Sequence, residues 1–192
     1  MPIADPYTTP QQAASRRDFT WNAIALTSDG QLLDFYAGQR DLEQRIIRHV
    51  SDKSFGDDPL RVLRAMQFAA RFEMQLAPET AQICHTLLPA AASLPPERIW
   101  GEWQKWALRG VAPAAGLRAL HESGWLALYP MLTALINCPQ DPAWHPEGDV
   151  WTHTGHVCDV AASIAQRQGW SGEARMALLF GALCHDLGKA ST

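Results

Sequence analysis

The stretch that decides the fold is SFGDDPLRVLRAMQFAARF, Ser54 to Phe72. Two aspartates stand against a proline, and Arg61 and Arg64 follow. Local physics reads it as a helix entrance. Aspartate is among the best N-caps and proline is favoured at the first helical position. Asp57 adds charge of the right sign at the positive end of the helix dipole. Beyond Pro59, residues Leu60, Leu63, Met66 and Ala70 fall on one helical face and predict a buried stripe. In this reading Arg61 and Arg64 are a solvated face. A second reading stands beside it. Asp58 and Arg61 lie one turn apart, so their side chains can converge on one planar object. A carboxylate accepts from an exocyclic amine and a guanidinium donates in a planar fork. Together they match the edge of cytosine or adenine. Guanine and uracil present a carbonyl where the amine should be.

Outward from this helix, the chain divides. Residues 1–15, MPIADPYTTPQQAAS, are rich in proline, threonine and glutamine and are expected to be a flexible arm. FTWNAIAL and LLDFY flank Asp29-Gly30, a turn signal, and predict a β-hairpin. After Pro59 the pattern is helical throughout, with segments near 78–88, 96–109, 112–127, 151–168 and 171–186. Proline and glycine mark the breaks. NCPQDPAWHPEGD, Asn137 to Asp149, is the linker candidate. The expected fold is mostly α: a short β-hairpin, an all-helical neck and body, and a further helical segment.

Composition bounds the function. The chain has 192 residues, 47% hydrophobic and 19% charged, enough for a real core. A net charge of -4 argues against coating nucleic acid through bulk charge and leaves room for a local basic stripe. Cys84, Cys138, Cys158 and Cys184 form no CxxC pair and are expected to be reduced and mostly buried. No apolar run reaches membrane-span length and no signal pattern opens the chain, so the cytoplasm is the expected compartment. The eight tryptophans are expected mainly in the core.

Four segments in order, RRDFTWNAIAL, LLDFYAGQRDL, the Ser54–Phe72 stretch and LPPERIWGEW, resemble the bacterial tRNA nucleotidyltransferases: the CCA-adding enzymes and their poly(A) polymerase relatives. The resemblance implies that Asp58 and Arg61 template incoming CTP and ATP, with Arg64 beside them. Asp57 stands where that family usually has glutamate. It also implies that Arg17 approaches the triphosphate and Asp18 the ribose hydroxyl, with Asn22 adding a polar contact. Guanidinium suits phosphate oxygens. Asp34, Gly38 and Asp41 resemble a flexible element of the family, and turn and cap chemistry explains them equally well. Arg98, Lys105 and Arg109, at helical spacing, are candidates for tRNA phosphates or an ordinary solvated face.

Nucleotidyl transfer uses two metal ions, Mg2+ in the intact enzyme. The resemblance implies an Asp-x-Asp pair and a glycine-rich loop ahead of RRDFT. Before Arg16 the one acid is Asp5. This chain by itself is therefore expected not to add nucleotides. The expected domains are residues 16–56 as the end of a catalytic head, 57–140 as neck and body, and 141–192 as the start of a further domain.

That last segment carries DVWTHTGHV and LLFGALCHDLGK. His185-Asp186 followed by Leu-Gly-Lys resembles an HD-type metal-dependent phosphohydrolase. The resemblance implies His153 as upstream ligand, with His156 the weaker candidate, and Lys189 near a phosphate. Imidazole with carboxylate suits a divalent ion that activates water. The superfamily's downstream aspartate is missing, so weak metal binding or none is expected. His145 and Glu147 read as linker residues unless they fall within reach of His153. Three functions remain open: part of a CCA-adding enzyme; a non-catalytic nucleotide- and RNA-binding half that pairs with a partner chain; and an HD-type phosphohydrolase module.

Overall fold

The structure is a computed structural model, and it describes residues 8–191. Helix α1 is Pro10–Ser15. Thr9 caps it through a reciprocal capping box with Gln12, and Pro10 opens the first turn. This corrects the expectation of a flexible arm over that stretch: the polar residues that suggested disorder supply the cap. The first seven residues of the expected arm, Asp5 among them, lie outside the described residues.

A single 3-10 turn, Thr20–Ala23, leads into β1 (Ala25–Leu26), which pairs antiparallel with β2 (Leu32–Leu33). The expected hairpin is present and short. Gly30 sits at φ 85°, the left-handed conformation its turn requires. Helix α2 (Gly38–Glu43) follows, then β3 (Ile46–Ile47) and α3 (Asp52–Gly56). Helix α4 is Arg61–Phe72, starting two residues beyond the proline expected to open it. Next comes β4 (Gln75–Leu76), which pairs parallel with β3. That strand corrects the reading of everything after Pro59 as helical. Two residues held by a partner nearly thirty positions earlier carry no local β pattern.

The remainder is helical: α5 (Pro78–Thr86), α6 (Pro96–Arg109), α7 (Pro113–Glu122), α8 (Pro130–Thr133), α9 (Val150–Arg167) and α10 (Gly172–Cys184). The mostly α architecture is the expected one. Helix α4 is central, packed against α6 and α7, while α9 and α10 pack on each other and on α7 and α6. Its burial is wider than one stripe: Val62, Ala65 and Ala69 are buried as well as Leu63, Met66 and Ala70. Helices on two sides explain this, and the alanines allow close approach. At Gly116 on α7, an added Cβ would stand 2.7 Å from the Met66 carbonyl oxygen.

Trp106 and Trp125 are fully buried, and their indole N–H groups donate to the carbonyls of Pro113 and Cys84. Trp100, Trp144 and Trp170 are exposed, so the core takes only part of the tryptophan set. The expected linker is a loop closed at its base. Asn137 N–H donates to Asp149 Oδ2 at 2.7 Å, and Val150 N–H to the Cys138 carbonyl at 3.0 Å. Val150, Cys158 and Leu179 join the same hydrophobic core as α4 and α6. Buried Arg175 ties α10 to its neighbours, donating to the carbonyls of Ala107 and Gly110. Among the described residues no helix is long and apolar enough to cross a membrane.

Candidate functional site

An open cleft of about 280 Å³ lies where the segment before the hairpin meets α4 and α6. It is lined by Arg16, Arg17, Asp18, Asn22, Asp58, Leu60, Arg61, Arg64 and Arg98. All six residues singled out for nucleotide contact therefore share one cavity. Aromatic packing builds it. Phe19 is fully buried against Phe55 and Phe68, with ring centroids 5.8 and 5.9 Å apart, and Trp21 meets Phe68 edge-on at 4.9 Å. Alternate residues of RDFTW thus anchor on α4. Each buried ring is worth roughly 2 kcal/mol. The anchoring holds Arg17 and Asp18 beside Arg61 and Arg64.

Asp18 is buried, 5% exposed, and accepts three hydrogen bonds, one fewer than its carboxylate can take. Its Oδ2 accepts from Arg64 Nε at 2.7 Å, and its Oδ1 from Asn22 Nδ2 at 2.9 Å and its neighbour Phe19 N–H at 3.0 Å. Arg64 also lies over the Phe68 ring at 5.2 Å, so it is no simple solvated residue. Asp58 uses both oxygens. Its Oδ1 accepts from Leu60 N–H at 3.2 Å, an Asx turn that leads into α4 rather than the expected N-cap, since α4 has no side-chain cap. Its Oδ2 faces the cleft and accepts from Arg98 Nη2 at 2.7 Å. Arg61 is held by the backbone opposite: Nη1 donates to the Arg17 carbonyl at 3.0 Å and Nη2 to that of Arg16 at 2.8 Å. No Asp58–Arg61 ion pair forms: both residues line the cleft, Asp58 held by Arg98 and Arg61 by the backbone of Arg16 and Arg17. Five guanidinium groups against two carboxylates make the cleft electropositive, suited to an anionic ligand.

Helical spacing groups Arg98 with Lys105 and Arg109, and the structure separates them. Arg98 joins the cleft, Lys105 donates to buried Glu102 at 2.7 Å, and Arg109 is exposed. Sequence reasoning missed both the cleft role of Arg98 and the contribution of Arg16.

Asp34, Gly38 and Asp41 do structural work. Asp34 accepts from Gly38 N–H at 2.8 Å and Gln39 N–H at 2.9 Å, the first amides of α2; burial pushes its carboxyl up, and these donors together outweigh it and hold it below the usual value. At Gly38 an added Cβ would strike the Thr20 carbonyl oxygen. Asp41 is fully buried and accepts from Thr20 Oγ1 at 2.8 Å and Arg48 Nε at 3.0 Å.

A second constellation lies at the other end. Among the described residues, the clusters of three metal-ligating side chains are His145, Glu147, His153 and His153, His185, Asp186. His153 belongs to both. Its Nδ1 is 2.6 Å from Glu147 Oε1, and its Nε2 is 3.8 Å from Asp186 Oδ2. His185 Nε2 lies 3.1 Å from that same Asp186 oxygen, and Lys189 Nζ 2.8 Å from it. His145 Nδ1 is 3.1 Å from Glu147 Oε1. Its own backbone N–H, then His153 and His145, hold the Glu147 carboxyl at about 2. His145 and Glu147 are therefore partners of His153 and not mere linker residues. His156 lies apart, beside Arg118 and Asp159. All four cysteines are free: Cys84 and Cys158 are buried, burial pushing both thiols up to about 12, and Cys184 is exposed.

The fold is that of the CCA-adding enzymes. The structure resembles the Thermotoga maritima CCA-adding enzyme complexed with tRNA at TM-score 0.62, with 21% identity, covering 93% of this chain and 42% of that one. A CCA-adding enzyme in complex with ATP gives TM-score 0.60 at 22% identity, covering 88% of this chain and 39% of that one. Sequence families agree: residues 4–48 match the poly A polymerase head domain, and residues 73–136 match the probable RNA and SrmB-binding site of polymerase A. The multifunctional CCA protein of Xanthomonas campestris pv. campestris (strain B100) is 44% identical over 196 residues, covering 98% of this chain and 46% of that protein. That of Alkalilimnicola ehrlichii is 42% identical over 195 residues, covering 98% and 45%. The chain belongs to the tRNA nucleotidyltransferase and poly(A) polymerase family. It spans about half the length of the curated relatives it matches.

Proposed function

We propose that this chain carries the base-reading and triphosphate-holding part of a tRNA nucleotidyltransferase that adds CTP- and ATP-derived residues to tRNA 3′ ends. The observation that supports it most is the convergence of Asp58, Arg61, Arg64, Arg17, Asp18 and Asn22 on one electropositive cleft. Asp58 Oδ2 accepts an exocyclic amine, and Arg61 donates to the neighbouring ring acceptor. Arg98 already occupies one lone pair of that oxygen, so the base amine takes the other or displaces Arg98. Arg16 and Arg17 hold phosphate oxygens. Asp18, oriented by Arg64 and Asn22, takes the ribose hydroxyl. Lys105 and Arg109 face tRNA phosphates. The Asp58 contact supports reading Arg98 with the nucleotide rather than with tRNA.

Transfer needs divalent ions, Mg2+ in the family, but the cleft residues do not fit one. Both carboxylates are held by arginines, and five guanidinium groups repel a dication. An ion that serves transfer would be held by groups other than these. The division proposed is a head segment over 16–56, a neck and body over 57–140, and an HD-type segment over 141–192. A reducing, cytoplasmic setting accords with the free thiols. The His153, His185 and Asp186 cluster favours one further reading: a divalent ion there activates water for phosphoester hydrolysis.

The test is residue-resolved. Titrating the chain with ATP or CTP should shift amide resonances of residues 16–22, 58–64 and 98. Shifts confined to other surfaces, or none at millimolar nucleotide, contradict the assignment.

A further inference from the structure

Two imidazoles face one carboxylate oxygen in the C-terminal cluster, and the proton position on each ring follows from its other neighbour. His185 Nδ1 stands 2.8 Å from the Ala182 carbonyl oxygen. A carbonyl can only accept, so that nitrogen carries the proton. His153 Nδ1 stands 2.6 Å from Glu147 Oε1, and a carboxylate likewise can only accept. In the neutral rings both Nε2 atoms are then left with lone pairs. Both point toward Asp186 Oδ2, at 3.1 and 3.8 Å. Two bare nitrogens beside a carboxylate oxygen attract a cation, and the Lys189 ammonium already lies 2.8 Å from that oxygen.

The two anchors differ in kind. The Ala182 carbonyl belongs to α10 itself, within one turn of His185, and cannot be lost without unfolding the helix. The Glu147 anchor comes from the loop before α9 and is held from behind by His145 Nδ1 at 3.1 Å. It is the replaceable element of the arrangement.

We propose that Glu147 is a positioning residue that fixes the Nδ1–H tautomer of His153 and so presets His153, His185 and Asp186 as a three-ligand site for a borderline divalent cation. The proposal rests on reading this cluster as a metal site. It assigns Glu147 the role that an outer carboxylate plays behind a ligating histidine, orienting the ring and raising its basicity. Imidazole and carboxylate together suit Co2+, Ni2+ or Zn2+ over Mg2+ or Ca2+. Three protein ligands leave open positions for water.

The experiment has two arms on the full chain. Long-range 1H–15N imidazole spectra without metal, at about pH 8 where free imidazole is neutral, should show the proton of His153 on Nδ1. Glu147→Ala should move it largely to Nε2 and leave His185 unchanged, and Glu147→Gln, which keeps an acceptor oxygen, should hold the parent tautomer. Titration with Co2+, followed by its visible absorption, should show Glu147→Ala weakened about 10- to 100-fold. Glu147→Gln should lose less, and His185→Ala should abolish binding. If the parent binds no Co2+, the metal-site reading falls and the proposal with it. If the parent binds and Glu147→Ala binds equally well, the positioning role alone is overturned. A parent His153 already protonated on Nε2 overturns it too.

Discussion

Arg98 Nη2 lies 2.7 Å from Asp58 Oδ2, joining the start of α6 to the entrance of α4 across forty residues of sequence. The contact gives the cleft a built-in competitor for the group that would read a base. Both side chains are partly exposed, and such pairs contribute about 0–1 kcal/mol. Arg98→Ala should therefore shift the urea midpoint little while leaving nucleotide preference intact. A loss above about 2 kcal/mol would show that the pair is structural rather than exchangeable.

Asp18 predicts the opposite behaviour. It is buried and accepts from Arg64, Asn22 and a backbone N–H. Asp18→Ala leaves three donors unpaired and should cost about 2–4 kcal/mol by denaturant unfolding. A variant as stable as the parent would show that Asp18 is not the hub of this wall.

Gly116 sits where α7 crosses α4. A methyl group there would meet the Met66 carbonyl at 2.7 Å and the Ala70 and Trp106 side chains at 2.9 Å. Gly116→Ala should destabilise by about 1–3 kcal/mol despite the better helix propensity of alanine. A rise in thermal midpoint would contradict the observed closeness of the two helices.

Asp159 on α9 accepts from Ala114 N–H at 2.8 Å at the start of α7. Burial raises its carboxyl above the ordinary value, and the Ala114 N–H, His156 and Arg118 oppose the rise. The folded state thus holds this proton more tightly than the unfolded chain. The stability it contributes is complete below the unfolded value near about 4 and is lost as pH rises through the folded value. Asp159→Asn keeps an oxygen for Ala114 and removes the buried charge. After discounting for partial exposure it should gain a few tenths of a kcal/mol at pH 7. The gain should shrink toward pH 4, measured by urea unfolding at both. A variant clearly less stable at pH 7 would mean that the charge itself holds α9 to α7.

Much of this was legible in sequence. Helix α6 runs over 96–109 as its proline and glycine boundaries predict, and Asp29-Gly30 announces the hairpin. The wall residues were legible through their order along the chain. What escaped has a common cause: nonlocal pairing. Strand β4 exists only because Ile46 and Ile47 accept it. Nothing within GEARMALLFGALC marks Arg175 for burial, and it is buried because the carbonyls of Ala107 and Gly110 accept from it. Glu147 looks like loop, and only the direction in which α9 begins sets it against His153.

In the proposed function Asp58 and Arg61 together read the base edge. Equilibrium binding of CTP, ATP, GTP and UTP to the parent chain, Asp58→Ala and Arg61→Ala tests it most directly. The parent should bind CTP and ATP in the high micromolar to millimolar range, roughly -4 to -6 kcal/mol, and GTP and UTP about tenfold more weakly. Either substitution should bring the four affinities together. Equal binding of all four by the parent would contradict the account.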